Sequence, residues 1–270
     1  MSTEAAVALA DEFAARYGPW AIVTGASDGL GRAFARRLAA RRINLVLVSR
    51  RVAALSVLAE ELQINHAIRC VVIPLDLADP RSVASLEEQT EHLDVGLVVA
   101  AAGFGSIGPF LDRPLKGEAE MLEVNAGSVL RIAHRFGQRL VARRSGGLVL
   151  FGSVVGFQGT PLSANYAATK AYVQSLAEAL AVEWAPLGVD VLSCAPGPVA
   201  TGFATRAGMA MGKAANPEDL VEPCLDALGR RTTVRPGWLA KLLGHGLGTL
   251  PRSLRVRVMH NVMRGMQPSS

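Results

Sequence analysis

The chain has 270 residues, 50% of them hydrophobic and only 19% charged, with a mean hydropathy of +0.28. That composition suits one large α/β domain with a sizeable core and excludes a disordered segment. The net charge of +5 is uneven, because eight basic and no acidic residues follow Asp226 and the preceding chain is left at −3; no aromatic-interleaved basic element of the nucleic-acid-binding kind accompanies it.

Ala5–Tyr17 reads as a helix stopped by Pro19, and Glu4, Asp11 and Glu12 are wrong for a secretory or transit leader. Ala21–Thr24 is a short apolar strand that runs straight into Gly25-Ala26-Ser27-Asp28-Gly29-Leu30-Gly31. Residues 30–42 form a helix, with Leu30, Phe34 and Leu38 at four-residue spacing. Ile43–Ser49 is a second strand, nearly continuous in apolar side chains as buried parallel strands are. A helix follows over 52–64, a strand over Cys70–Leu75, a helix over Pro80–Glu91 and a strand over Val95–Ala100. The uncharged run Val95–Leu111 holds four glycines and a proline, so it is a strand entering a glycine-rich loop and not a membrane span. Helical pattern returns over 115–140. Then come a strand at Gly147–Gly152, a long helix at Tyr166–Trp184, and a strand at Val189–Ala195 closed by Pro196-Gly197-Pro198. Residues 217–229 form a helix between Pro217 and Gly229, and Thr232–Val234 a last short strand.

This alternation predicts a three-layer α/β fold, a doubly wound parallel sheet of about seven strands whose ligands sit beyond the strand carboxyl ends. Three cysteines, Cys70, Cys194 and Cys224, are spaced too widely for a zinc knuckle or a disulfide framework. They point to a reducing, cytoplasmic setting. The five histidines, 66, 92, 134, 245 and 260, show no ligand spacing, so no metal is expected.

The informative residues lie at the strand ends. Thr24-Gly-x-x-x-Gly-x-Gly31 follows a strand and opens a helix. Glycines let the backbone approach a diphosphate, which the free N–H groups of the helix start then face. The first gap is three residues, longer than in G-x-G-x-x-G. A dinucleotide lacking a 2′-phosphate wants an acid at the end of the second strand. Here Ser49 is followed by Arg50 and Arg51. Guanidinium groups match a 2′-phosphate, and two cations at a helix start favour an anion between them, so NADP(H) is preferred to NAD(H). Tyr166 and Lys170 are one helical turn apart on a shared face. Ser153 stands upstream at a strand end, and Asn125 in the preceding helical stretch. Lysine is scarce in this arginine-rich chain, only four residues, which sets Lys170 apart.

With Ala100-Ala101-Ala102-Gly103 and Pro196-Gly197…Thr201, these motifs span residues 20 to about 201, and the chain resembles a classical short-chain dehydrogenase/reductase with a Rossmann fold. The alanines at 100 and 101 depart from the family's Asn-Asn-Ala-Gly and remove a side chain that braces the central sheet. The resemblance implies an oxidoreductase with Tyr166 as general acid/base. Lys170 draws the phenol pKa down and binds the nicotinamide ribose, Ser153 holds the substrate oxygen, and Asn125 orients a water linked to Lys170. It implies cofactor contacts at Gly25, Ser27, Asp28, Gly29, Leu30, Gly31, Asp76 (to adenine), Leu77, Ala102, Gly103, Pro196 and Gly197. Val199 and Thr201 meet the carboxamide. It also implies a homodimer or homotetramer, paired through the Tyr166 helix and its predecessor.

The expected organisation is one domain over 1–270, with a core at 18–237, a substrate lid at 202–215 and a basic amphipathic helical extension at 238–266. Phe203, Met209 and Met211 in the lid suit an irregular apolar ligand. The extension resembles the 3-ketoacyl-CoA and 17-beta-hydroxysteroid reductase branch, where Leu-Pro precedes the last helix, here Leu250-Pro251. That helix shows Leu254, Val258 and Val262 as its apolar face. Three roles stay open for it: packing over the cleft, a dimer contact, or peripheral contact with an anionic membrane. The reading reached is an NADPH-dependent reductase of a bulky apolar ketone (ketoacyl, steroid-like or other) or its alcohol. An NAD-linked secondary alcohol dehydrogenase and a non-catalytic dinucleotide-binding regulatory module are the rivals.

Overall fold

The computed structural model of the protein describes residues 12–210, 212 and 214–267. Residues 12–17 are helical; the rest of the helix expected from Ala5 lies outside the described residues. The strands are β1 Trp20–Thr24, β2 Asn44–Ser49, β3 Cys70–Pro74, β4 Val95–Ala100, β5 Gly146–Phe151, β6 Val189–Cys194 and β7 Thr233–Val234. They form one 7-stranded sheet in the order β3-β2-β1-β4-β5-β6-β7. Every neighbouring pair is parallel, with Val23 opposite Leu47 on one side and Val99 on the other. The expected doubly wound sheet is therefore the observed one.

The helices are α1 Gly29–Ala40, α2 Val52–His66, α3 Ser82–Gln89, α4 Leu115–Leu122, α5 Ser128–Arg143, α6 Ala164–Trp184, α7 Gly202–Ala207, α8 Pro217–Ala227, α9 Trp238–Gly248 and α10 Arg252–Arg264. Successive strand residues feed opposite cores. Val23, Leu45, Leu47, Leu97 and Val99 pack with Phe34 and Leu38 of α1, Leu55 and Leu62 of α2 and Leu225 of α8. Ile22, Val46, Val48, Val98 and Leu150 pack with Leu86 of α3, Ile132 and Phe136 of α5 and Val173 of α6. Both sheet faces are dry, which is why these strands read as apolar runs and not as alternating ones.

The chain reverses its direction of strand addition between β1 and β4, and a crevice opens there at the carboxyl ends. The helical stretch expected over 115–140 is broken. Between α4 and α5 the residues Glu123–Gly127 form a π-helical turn, which carries Asn125. In the extension, Arg255 closes the end of α9, its Nε donating to Leu250 O at 2.7 Å and its Nη2 to Gly248 O at 2.8 Å. No helix among the described residues is long and apolar enough to cross a membrane.

Candidate active site

A cleft of about 390 Å³ opens over the carboxyl ends of the strands. Its outer end is built on β1. Gly25 adopts φ +68, and a Cβ there would lie 2.9 Å from the Ala102 backbone. Thr24 Oγ1 accepts the Ala102 N–H at 3.1 Å. This bond ties the glycine loop to the end of β4. Asp28 caps α1, accepting the Gly29 N–H at 2.7 Å. Ser27, Leu30 and Gly31 complete this bay of the cleft, with Leu77, Ala102 and Gly103 across from them.

Charge in this bay is balanced by loose pairs. Arg50 reaches Asp76 and Glu120, each at 3.6 Å. Arg51 donates to Ser27 Oγ at 3.1 Å and lies 3.7 Å from Asp28. Arg206, from α7, also lies 3.7 Å from Asp28. Pairs this long and half-exposed gain little from each other, so the guanidinium groups remain available to stronger anions. Glu120 and Arg206 line the cleft and were not among the residues singled out from sequence. Only the fold brings them here, and no local spacing marks them.

At the inner end Lys170 and Ser153 are buried and Tyr166 is partly buried. Lys170 Nζ donates to Phe151 O at 2.8 Å. Burial lowers its pKa to about 8. Ser153 beside Tyr166 favours the phenolate, but burial outweighs that influence and pushes the phenol up to about 12. The expectation that Lys170 draws this phenol downward is corrected: the ammonium sits 5.7 Å from the tyrosine ring centroid and is bonded to a carbonyl. Desolvation dominates both groups. Ser153 caps the turn Val154–Phe157, its Oγ accepting from Val155 N at 3.4 Å, and lies 3.5 Å from Pro196 O.

Asn125 is buried beneath the cleft and does not line it. Its Nδ2 donates to Phe104 O at 2.8 Å and to Thr169 Oγ1 at 3.2 Å, and its Oδ1 accepts from Phe104 N at 3.1 Å. A Cβ on Gly103 would meet Asn125 Oδ1 at 3.0 Å and Lys170 Nζ at 3.7 Å. Asn125 thus fixes the backbone that faces Lys170.

Pro196, Gly197, Val199 and Thr201 run along one wall. Ala200 N donates to Ala215 O at 2.8 Å, which clips the two ends of the 202–215 segment together. Phe203 packs on Tyr166 with ring centroids 5.4 Å apart, and Gly105 leaves room for its edge, since a Cβ there would fall 2.6 Å from Phe203 Cζ. Met209 lines the cleft as well; Met211 lies outside the described residues. The opposite wall comes from the extension: Met259, Val262, Met263 and Met266 face the cleft. The expected face of α10 is corrected in part: Val262 lines the cleft, but Met259 and Met263 are the buried residues of the helix and Leu254 is exposed. A flexible thioether fills the irregular space over the cleft better than a branched side chain does.

The short chain dehydrogenase family model matches residues 19–211. A 7beta-hydroxysteroid dehydrogenase of Collinsella aerofaciens is 30% identical over 82% of this chain and 87% of its own. A very-long-chain 3-oxoacyl-CoA reductase-like protein of Arabidopsis thaliana is 31% identical over 88% of this chain and 79% of its own, in keeping with the branch suggested by the extension. Among solved structures, a short-chain dehydrogenase from Sphingobium yanoikuyae in complex with NADPH superposes with a TM-score of 0.76. It is 27% identical, with 92% of this chain and 94% of that one covered.

Proposed function

Because the chain belongs to the short-chain dehydrogenase family, and is an oxidoreductase on that ground, we propose that it reduces a bulky apolar ketone with NADPH, or oxidises the matching secondary alcohol. One observation carries the reading. A tyrosine hydroxyl beside a serine, with a lysine one turn away, lines the inner end of a cleft whose outer end is a glycine cradle rimmed by arginines. The residues fit a dinucleotide: Gly25, at φ +68 and packed on the Ala102 backbone, turns the chain tightly into the start of α1, and Arg50 and Arg51 offer cations where a 2′-phosphate belongs. Bound there, the cofactor supplies the hydride.

The chain's own groups handle the proton. Near neutral pH the Tyr166 phenol, pushed up to about 12, holds its proton and can give it to a carbonyl oxygen turning into an alkoxide. Ser153 Oγ stands beside that hydroxyl and donates to the same oxygen. Lys170, whose pKa of about 8 leaves it mostly protonated near neutral pH, supplies positive charge near the phenol as its proton leaves. Asn125 serves as a positioning residue, through Phe104 and Thr169.

The methionines of α10, with Phe203 and Met209, exclude water and suit a large, irregular apolar body. Relatives named for a hydroxysteroid and for 3-oxoacyl-CoA support steroid-like ketones and ketoacyl thioesters as first candidates. Exposed Leu115, Leu122 and Leu130 on α4 and α5 and Tyr172 on α6 support pairing of two chains through these helices. The test is a panel of ketosteroids, short and long 3-ketoacyl thioesters and xenobiotic ketones followed by NADPH absorbance. Oxidation of NADPH by at least one bulky apolar ketone is expected. Turnover confined to NADH would turn the reading to the NAD-linked enzyme. Binding without turnover across the panel would turn it to a regulatory module.

A further inference from the structure

Asp28 poses an electrostatic problem that points to a residue outside the family's glycine loop. Its carboxylate caps α1 and stands at the helix start that would face a diphosphate. Two anions there would repel each other unless cations reach both. Arg51 and Arg206 both come within 3.7 Å of Asp28 Oδ2. Arg51 also donates to Ser27 and belongs to the end of β2. Arg206 comes from α7, on the opposite wall, and lines the same cleft. The start of α7 lies against the loop. A Cβ on Gly202 would collide with Asp28 Oδ2, and one on Gly29 would meet Thr201 at 2.7 Å.

Beyond α7 the chain stays tied. Met209 N donates to Ala204 O at 2.9 Å, and Ala210 N donates to Met266 O at 2.9 Å. Met266 belongs to the methionine wall of the extension. Arg206 is thus linked through one short helix and one backbone hydrogen bond to the side chains over the substrate end.

We propose that Arg206 binds the cofactor diphosphate, shared between it and Asp28, and thereby positions α7 and the methionine wall over the cleft. This rests on the reading of the cleft as a dinucleotide site. The diphosphate is common to both nicotinamide dinucleotides, whereas Arg50 and Arg51 are assigned to the 2′-phosphate. Arg206 is half-exposed, so its replacement spares the core.

The experiment is a fluorescence or calorimetric titration of NADPH and NADH on the wild-type chain and on Arg206→Ala and Arg206→Lys. It is paired with amide hydrogen exchange over residues 203–210 and 259–266. Arg206→Ala is expected to weaken both dinucleotides by the same factor, about 10- to 100-fold, and Arg206→Lys to recover part of it. NADPH is expected to slow exchange in both segments of the wild-type chain and in neither segment of Arg206→Ala. Unchanged affinities, or a loss confined to NADPH, overturn the proposal. So does a rise in KM for an anionic ketone with dinucleotide affinity intact, which would make Arg206 a substrate residue. A wild-type chain that binds neither dinucleotide overturns the reductase reading itself, before any variant is made.

Discussion

The floor and the roof of the cleft are built by different means. The floor is the carboxyl edge of a sheet buried on both faces, and its groups are set by short hydrogen bonds: Lys170 to Phe151, Asn125 to Phe104, Ala102 to Thr24. The roof is α7 and α10, joined to each other by the Ala210–Met266 bond and to the floor by a 3.7 Å ion pair at Asp28. Its cleft-facing side chains are mostly methionines. A rigid floor suits chemistry that needs a hydroxyl and an ammonium held in place. A compliant roof suits recognition of apolar shape. Changes to the floor should therefore alter rate and cofactor choice, and changes to the apolar side chains of the roof should alter which ketone is taken.

The largest effect tests the floor. Tyr166→Phe keeps the ring contact with Phe203 but cannot give a proton. Ketone reduction should fall about 10²–10⁴-fold with NADPH affinity nearly unchanged, read by steady-state rates beside binding titrations. Next comes the outer end. Arg50→Ala should weaken NADPH by about 10- to 100-fold and NADH far less; equal losses would remove the 2′-phosphate assignment. The roof follows. Met263→Ala should raise KM for bulky ketones several-fold, leave NADPH affinity alone, and lower stability by about 2–5 kcal/mol. Met263→Leu should restore stability with a smaller change in ketone preference. A Met263→Ala chain whose rate falls equally for all ketones would mean that the roof acts on the chemistry.

The smallest effect is in pH. Lys170 titrates near 8 in the cofactor-free chain because burial disfavours its charge. Anionic phosphates favour that charge, so the complex binds a proton that the free chain has lost above pH 8. NADPH affinity should then fall as pH rises beyond 8, by at most about tenfold per unit, and proton uptake should appear in titrations run in buffers of different ionisation enthalpy. An affinity that stays flat above pH 8 would place Lys170 away from the cofactor, and one that rises would mean that the bound cofactor disfavours its charge.

What could be read from the sequence was what repeats locally. Apolar runs ending in Gly25, Ser49, Gly103, Ser153 and Pro196 placed the strand ends, and with them the cleft. Tyr166 and Lys170 shared a helix face by spacing alone. The π turn at Glu123–Gly127 left no such trace, since one extra residue per turn barely disturbs a helical pattern. The inward face of α10 is rotated from the expected one: Val262 belongs to it, but Leu254 gives way to Met259 and Met263. Which side of a helix is covered depends on what it packs against. Arg206 and Glu120 were invisible for the same reason: their partners, Asp28 and Arg50, lie far away in the chain. The direction of the Tyr166 shift was misread because a neighbouring charge can be seen in sequence and the depth of burial cannot.

The most direct test of the account is a crystal structure of the chain with NADP⁺ bound. The nicotinamide ring is expected beside the Tyr166 hydroxyl and Ser153, its ribose within reach of Lys170, and the 2′-phosphate against Arg50 and Arg51. A dinucleotide bound elsewhere, or with its nicotinamide turned away from Tyr166, would contradict it.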